Sequence, residues 1–506
     1  MPLTSLNDEQ LSAATAPLGH NLIIASAGTG KTSTIVGRIA HLLHSGTEPS
    51  KILLLTFTNK AAGEMIARLE RYFPKKIVSK IESGTFHAVS YRWLKEIYPN
   101  LALKQPSELK TLFRSIYEKR NFERMNLAMQ PFSATYLYEM YSLYQNASLE
   151  SFDIWFLEKY PDHELVMDIY MDITQEFEKE KIDYGFASFN DLLLRMKSHL
   201  EENTIPFEEV LVDEYQDTNT LQSALIDVLK PKSLFCVGDY DQSIYAFNGA
   251  NIENIATYSK RYPQASVFTL KTNYRSTAPI LSLANRVIER NERIYPKKLE
   301  VGRDVKSYPP KLLMYNDLFE QYQSIAEGIK RTHVPNDQIA VIFRNNSSAD
   351  GVEASLREYG IPCKRKGGTS FFDTKEIKFL LDLLALLVNP KDMMAFIHVF
   401  EYARGVGSAL SKEFFQCFLH FGHGNFMQGV LYPKVHDLPK LNPNKNVQLG
   451  LFDDDQEIGS AARFKHMNLD SSLSNHPLLK HAKLSNDGMD FFKEFSMLMK
   501  CIHSLE

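Results

Sequence analysis

Eight consecutive residues, Ala25-Ser26-Ala27-Gly28-Thr29-Gly30-Lys31-Thr32, have the composition of a loop that cradles phosphates. Gly28 and Gly30 permit positive φ and close backbone approach, and amide N–H groups at the start of a following helix would face an anion. Lys31 is placed to reach the β- and γ-phosphates of a nucleoside triphosphate, and the Thr32 hydroxyl to ligate Mg²⁺. Ala25 stands where the strict pattern asks for glycine, a change the geometry tolerates. A second group ends the apolar run Val210-Leu211-Val212. There Asp213 is suited to hold Mg²⁺ through water, and Glu214 to orient and deprotonate an attacking water. Further on, Gln242 can sense a γ-phosphate through its amide, and Arg275 can stabilise transferring charge as an arginine finger does.

Such groups must be delivered by strand ends. Leu22–Ala25, Lys51–Thr56, Glu209–Asp213, Ser233–Val237 and Val267–Leu270 are short buried-strand patterns, and helical spacing fills Thr32–Leu43 and Asn59–Tyr72. This alternation predicts an α/β chain whose parallel sheet is covered on both faces. Residues from about 88 to 185 show helical spacing without a convincing strand, an all-helical insertion. A second α/β unit is expected from Asn273, with strands at Leu312–Met314 and Ile339–Phe343, and helices return from Glu376. The stretch 433–485, rich in Asn, Pro, Asp and Ser, reads as an exposed loop.

The chain has 506 residues, 44% hydrophobic and 23% charged, the profile of a multidomain globular protein. No run is long enough for a membrane span, and the N-terminus lacks signal-peptide character. Four scattered cysteines without a C-x-x-C pair fit a reducing cytoplasm. The net charge of -4 does not exclude nucleic acid, which needs only a local basic groove. Between Lys271 and Lys311, ten Lys or Arg face four acids; this is either such a groove or a solvated face.

Taken in order, these blocks resemble a UvrD/Rep/PcrA-type DNA helicase of superfamily 1. The resemblance runs from Leu6 to about Gly407 and includes Leu6–Gln10, Thr56–Ala62, Gly84–Ala88, Phe189–Leu193, Asp213–Asp217, Gly238–Tyr245, Asn273–Thr277, Phe343–Asn346, Gly367–Phe372 and Arg404–Gly407. It implies two RecA-like domains, the second incomplete, with all-helical insertions. The first would comprise 1–88 and 187–271 around an insertion at 89–186. The second would occupy 272–373, followed by an incomplete insertion at 374–506. It also implies ATP and Mg²⁺ as cofactors, and 3′-to-5′ translocation on single-stranded DNA and at single/double-strand junctions, in replication and repair. Gln10 would read the adenine edge and Tyr274 stack on the base. Ala27, Gly28, Thr29, Gly30, Lys31, Thr32 and Ser33 would wrap the phosphates with Asp213, Glu214, Gln242 and Arg275. The DNA track would use Phe57, Thr58, Asn59, Thr85, His87, Phe189, Tyr245, Phe247, Arg344 and Asn346.

The pattern departs in three places. Asn248 replaces an expected Arg after the aromatic Phe247, and Ser33 stands where relatives often carry Arg. The return to the second RecA-like domain, with its second arginine motif, is not found before Glu506. A fragment is the simplest expectation, a partner chain or a DNA-binding ATPase without unwinding activity the alternatives. Finally, Gln448-Leu449-Gly450-Leu451-Phe452 resembles a peptide that docks on the polymerase sliding clamp, although the same residues can pack on a neighbouring helix.

Overall fold

The computed structural model describes residues 2–120, 122, 130–147, 150–246, 249–292, 294–303, 305–366, 375–403, 405–432 and 486–503. Phe247, Asn248, the block Gly367–Phe372, Arg404, the stretch 433–485 and the Gln448–Phe452 motif lie outside the described residues. The chain divides into two compact units, residues 1–308 with 400–506, and residues 309–399.

The first unit is built on a six-stranded sheet of β1 (His20–Ala25), β2 (Ile52–Leu55), β3 (Glu82–Gly84), β6 (Glu209–Val212), β7 (Ser233–Gly238) and β8 (Ser266–Leu270). Every pairing is parallel, in the order β3-β2-β6-β7-β1-β8. The apolar runs form strands because both faces are covered, so alternate residues enter different cores. Leu22, Ile24, Leu53, Leu55, Val210 and Val212 fall in one cluster. Ile23, Ala25, Ile52, Leu54, Leu211 and Val237 fall in the other. The helix Lys31–His44 covers the second face through Ile35, Val36, Ile39 and Ala40. Its fully buried Arg38 forks onto Glu209 at 2.9 and 3.1 Å, tying the helix to the start of β6.

Between β3 and β6 the described chain is mainly helical, but it also holds a two-residue parallel pair that the sequence does not announce, β4 (Ala102–Leu103) with β5 (Phe186–Ala187). Buried Lys181 braces this region, pairing with Asp191 at 2.7 Å and with Glu178 at 2.9 Å. Residues 272–308, read from the sequence as the opening of the second α/β domain, pack in the same compact unit as the first sheet. Here β9 (Thr272–Asn273) pairs in parallel with β10 (Glu300–Val301).

The second unit corrects the sequence reading. It has the helices Leu318–Arg331, Asn346–Glu358 and Lys375–Val388, the first two packed around Ala326, Val352 and Leu356. The strands expected at Leu312–Met314 and Ile339–Phe343 are not formed. Both segments lack a ladder partner among the described residues, and Leu312, Met314 and Ile342 are 90%, 88% and 92% exposed. Local β propensity cannot make a strand without a neighbour to bond. The architecture is therefore α/β, a six-stranded parallel sheet with many helices, consistent with two RecA-like domains. Among the described residues no helix is long and apolar enough to cross a membrane.

Candidate functional site

Strand register brings the chemistry to one edge. Ile24 is level with Gly238, and Val212 with both Leu55 and Cys236. The segments after β1, β2, β6 and β7 therefore leave the carboxyl edge together, where open parallel sheets bind ligands at a change of strand direction. The chain leaving β1 must cross β7 and β6 to reach β2, which opens the loop 26–30 beside β1.

Gly28 and Gly30 have φ of 84° and 86°, the left-handed region that glycine alone enters freely. Both are also crowded. A Cβ on Gly28 would lie 2.5 Å from Arg275 Cβ, and one on Gly30 would overlap the Gln10 side-chain amide. Gln10 donates from Nε2 to Thr29 O at 2.9 Å, and its own position is fixed by a capping box with Asn7. Tyr274 N–H donates to Gly28 O at 2.8 Å, and Tyr274 Oη accepts from Asn7 Nδ2 at 2.8 Å. Gln10, Tyr274 and Arg275 thus surround the loop, with Tyr274 and Arg275 exposed. Nothing in the sequence assigns a role to Asn7 or to Asn273, whose Nδ2 donates to Ala27 O at 2.6 Å. Both are short-range Asn turns whose distant partner only the fold reveals.

Below the loop, Lys31 Nζ pairs with Glu214 Oε2 at 2.5 Å. Glu214 has φ 52°, a left-handed conformation strained for a side chain of this size. Asp213 Oδ1 and Asp217 Oδ1 are buried without a hydrogen-bond partner. Burial, then the neighbouring Glu214 charge, pushes both carboxyls up to about 6. Acids whose anionic form is short of positive charge fit a divalent cation. Among the described residues no three ligating side chains form a ready cage. Mg²⁺ commonly takes one or two carboxylates and completes its shell with phosphate and water. Thr32 and Ser33, half-buried, open the helix Lys31–His44 beside them. Asp217 carries no assigned chemistry in the sequence pattern, and its orphaned oxygen is what draws attention to it.

A chain of hydrogen bonds continues from the acids. Gln216 Nε2 donates to Glu214 Oε2 at 3.0 Å and to Asp217 Oδ2 at 3.1 Å, while its Oε1 accepts from Asp239 N–H at 2.8 Å. The Asp239 carboxylate accepts from Gln242 Nε2 and from Lys297 Nζ. Gln242 is therefore in contact with the acid cluster through two intermediaries rather than directly. Lys297, one of the ten cations of the basic stretch, is buried; Arg286, Arg290, Lys306 and Lys311 from that stretch are exposed.

Of the residues assigned to a DNA track, Phe57, Thr58 and Asn59 follow β2, Thr85 and His87 follow β3, and Tyr245 lies in the chain after β7, all leaving the same edge of the sheet. Phe57, half-exposed, meets Tyr245 with ring centroids 5.2 Å apart, and His87 meets Phe189 edge-on at 5.6 Å. Burial lowers the His87 pKa, which favours a neutral ring. Thr58 and Thr85 cap the helices Asn59–Leu69 and Phe86–Ile97, accepting from Ala61 and Ala88 N–H, and Asn59 Oδ1 accepts from Thr85 N–H at 3.4 Å. Their hydroxyls thus serve the helix ends, whose remaining N–H groups can meet an anion. Arg344 and Asn346 are exposed in the second unit.

Residues 6–263 match the UvrD/REP helicase N-terminal domain and residues 268–422 the UvrD-like helicase C-terminal domain. The chain is 33% identical over 426 residues to the ATP-dependent DNA helicase PcrA of Leuconostoc citreum, covering 80% of this chain and 55% of that protein. It is 32% identical over 451 residues to the protein of that name from Bacillus subtilis, covering 85% and 59%. The chain thus spans somewhat more than half the length of these relatives.

Proposed function

The chain belongs to the UvrD/REP helicase family, and on that premise we propose that it hydrolyses ATP and couples hydrolysis to 3′-to-5′ movement along single-stranded DNA. The observation that carries the reading is the acid cluster under the loop, Asp213 and Asp217 with orphaned oxygens beside the Lys31–Glu214 pair. Lys31 exchanges Glu214 for the γ-phosphate when ATP enters, and the released Glu214 carboxylate accepts the proton of the attacking water. Thr32 and Asp213, with Asp217 behind them, would hold Mg²⁺, whose charge offsets that of the β- and γ-phosphate oxygens. Arg275 stands at Gly28 to meet charge on the transferring group, and Gln10 and Tyr274 receive the base. Phe57, His87, Phe189 and Tyr245 give bases of any sequence a stacking face.

ATPase rate with and without single-stranded DNA tests this, for wild type, Glu214→Gln and Lys31→Ala. DNA is expected to raise the wild-type rate, and both variants to lose it; an unchanged wild-type rate on adding DNA defeats the motor reading. Unwinding of duplexes with a 3′ or a 5′ tail checks polarity. The unpaired segments at 312–314 and 339–343 favour a second reading, a DNA-stimulated ATPase that does not unwind, marked by stimulation without strand displacement. A sliding-clamp contact through Gln448, Leu449, Leu451 and Phe452 is proposed from the sequence, together with a cytoplasmic location. Deleting 448–452 should abolish clamp capture without touching ATPase, and persistent capture refutes the contact.

A further inference from the structure

Lys297 lies 58 residues beyond Asp239 in sequence, yet its ammonium group is buried against that carboxylate, the two side chains being 1% and 2% exposed. Its Nζ is also 3.5 Å from Asp241 Oδ2. A lysine loses solvation and rotamer freedom on such burial, so the site must repay it through what the pair holds in place. Asp239 is a branching point. Its Oδ1 takes Lys297 and the Asp241 N–H at 3.1 Å, its Oδ2 takes the Gln242 amide, and its own N–H donates to Gln216. Through Gln216 it is two hydrogen bonds from Glu214 and three from Lys31.

The segment bearing Lys297 also grips the other side of the nucleotide loop. Glu300 N–H donates to Lys271 O at 3.0 Å and Gly302 N–H to Asn273 O at 2.8 Å, closing the β9–β10 pair immediately before Tyr274 and Arg275. Arg303 Nη1 reaches Arg275 O at 3.4 Å. One short stretch, 297–303, therefore touches the loop that carries Gln242 and the turn that carries Arg275.

We propose that Lys297 is a positioning residue for hydrolysis: by neutralising Asp239 it sets how firmly that carboxylate retains the Gln242 amide, and so when Gln242 is free to turn to the nucleotide. This rests on the ATPase reading above. With Lys297 in place, the Asp239 charge is shared between the ammonium and the amide. Without it, Gln242 becomes the main side-chain donor to a buried anion, and charge-assisted bonds of that kind are the stronger ones. Gln242 is then held on Asp239, and the hydrolytic step slows while ATP still binds.

The experiment is a double-mutant cycle in DNA-stimulated ATPase with Lys297→Met, Gln242→Ala and the pair. Lys297→Met should lower kcat about tenfold, the effect of one charge-assisted hydrogen bond, with KM for ATP within about twofold. On the Gln242→Ala background it should cost nothing further, because it acts through Gln242. Should Lys297→Met misfold, Lys297→Met with Asp239→Asn removes both the unpaired buried charge and the anion that would hold Gln242, so kcat should return to within about threefold of wild type; a tenfold loss persisting in that pair overturns the inference. The inference is overturned if Lys297→Met matches wild type, or if its loss multiplies in full onto Gln242→Ala, the signature of a merely structural pair. If the wild-type protein itself shows no ATPase, the parent reading falls and this one with it. A wild-type protein stimulated by DNA, beside a Lys297→Met variant equal to it, overturns the role of Lys297 alone.

Discussion

Lys31 Nζ and Glu214 Oε2 are 2.5 Å apart, so the lysine of the phosphate loop is engaged by the acid expected to act as base. On the proposed reading, ATP breaks this pair when it binds. Glu214→Gln removes the charge that competes for Lys31 while keeping the shape. It is expected to bind nucleotide as tightly as wild type or up to several-fold tighter. Its hydrolysis should fall by about 10²–10⁴-fold, the usual worth of a general base. Fluorescent-nucleotide titration alongside steady-state ATPase measures both, and weakened binding by the variant would show that the ion pair does not oppose ATP.

Asp213 and Asp217 give a pH dependence with a definite sign. Their pKa values are raised in the folded chain, to about 6 from the ordinary 3.8, so the folded state holds these protons more tightly than the unfolded state. The stability they contribute is full below about pH 4 and is lost as pH rises through 6. Asp213→Asn should therefore stabilise the nucleotide-free protein at pH 7 by on the order of 2 kcal/mol, with no gain at pH 4. Urea titrations at the two pH values check it. Since protons compete with a cation for the same oxygens, Mg²⁺-dependent nucleotide affinity should weaken as pH falls through about 6, while Mg²⁺-free binding changes less.

The Arg38–Glu209 fork joins the helix behind Lys31 to the strand that delivers Asp213. Arg38→Met leaves Glu209 buried without its partner, at an expected cost of about 3–5 kcal/mol. Adding Glu209→Leu should recover much of that loss. Chemical denaturation of the two variants decides it, and a single variant as stable as wild type would mean that water reaches Glu209.

What the sequence made legible was whatever is encoded locally. The run Leu22–Ala25 followed by Gly28 and Gly30, and Val210–Val212 followed by Asp213, announce buried strands ending in reactive turns, because period, apolarity and glycine act over a few residues. Leu312–Met314 and Ile339–Phe343 carry equally apolar sequence, yet a strand also needs a neighbour, and that is a property of the assembly. Lys297 was hidden for the same reason. In a basic stretch it looks like its exposed neighbours, and only the approach of β10 to β9 carries it to Asp239. Asn7, Gln216 and Asp217 stand within the helicase-like blocks, but their partners lie across turns or across the loop, where spacing alone says nothing.

The aromatic pairs at the sheet's edge carry the last prediction. Phe57 with Tyr245 and His87 with Phe189 join segments that follow different strands, so each ring is braced by one from another loop. A base stacking on such a face gains roughly 1–3 kcal/mol whatever its identity. Phe57→Ala and Phe189→Ala should each weaken single-stranded DNA binding by that amount, equally for poly-dT and mixed-sequence oligonucleotides, as read by fluorescence anisotropy at fixed salt. Because Phe57 and Tyr245 touch, the double variant should lose less than the sum of the single losses, whereas Phe57 with Phe189, not in ring contact with one another, should come closer to adding. A loss confined to one base type would instead mean recognition by hydrogen bonding, and no loss at either position would move the DNA track off this edge of the sheet.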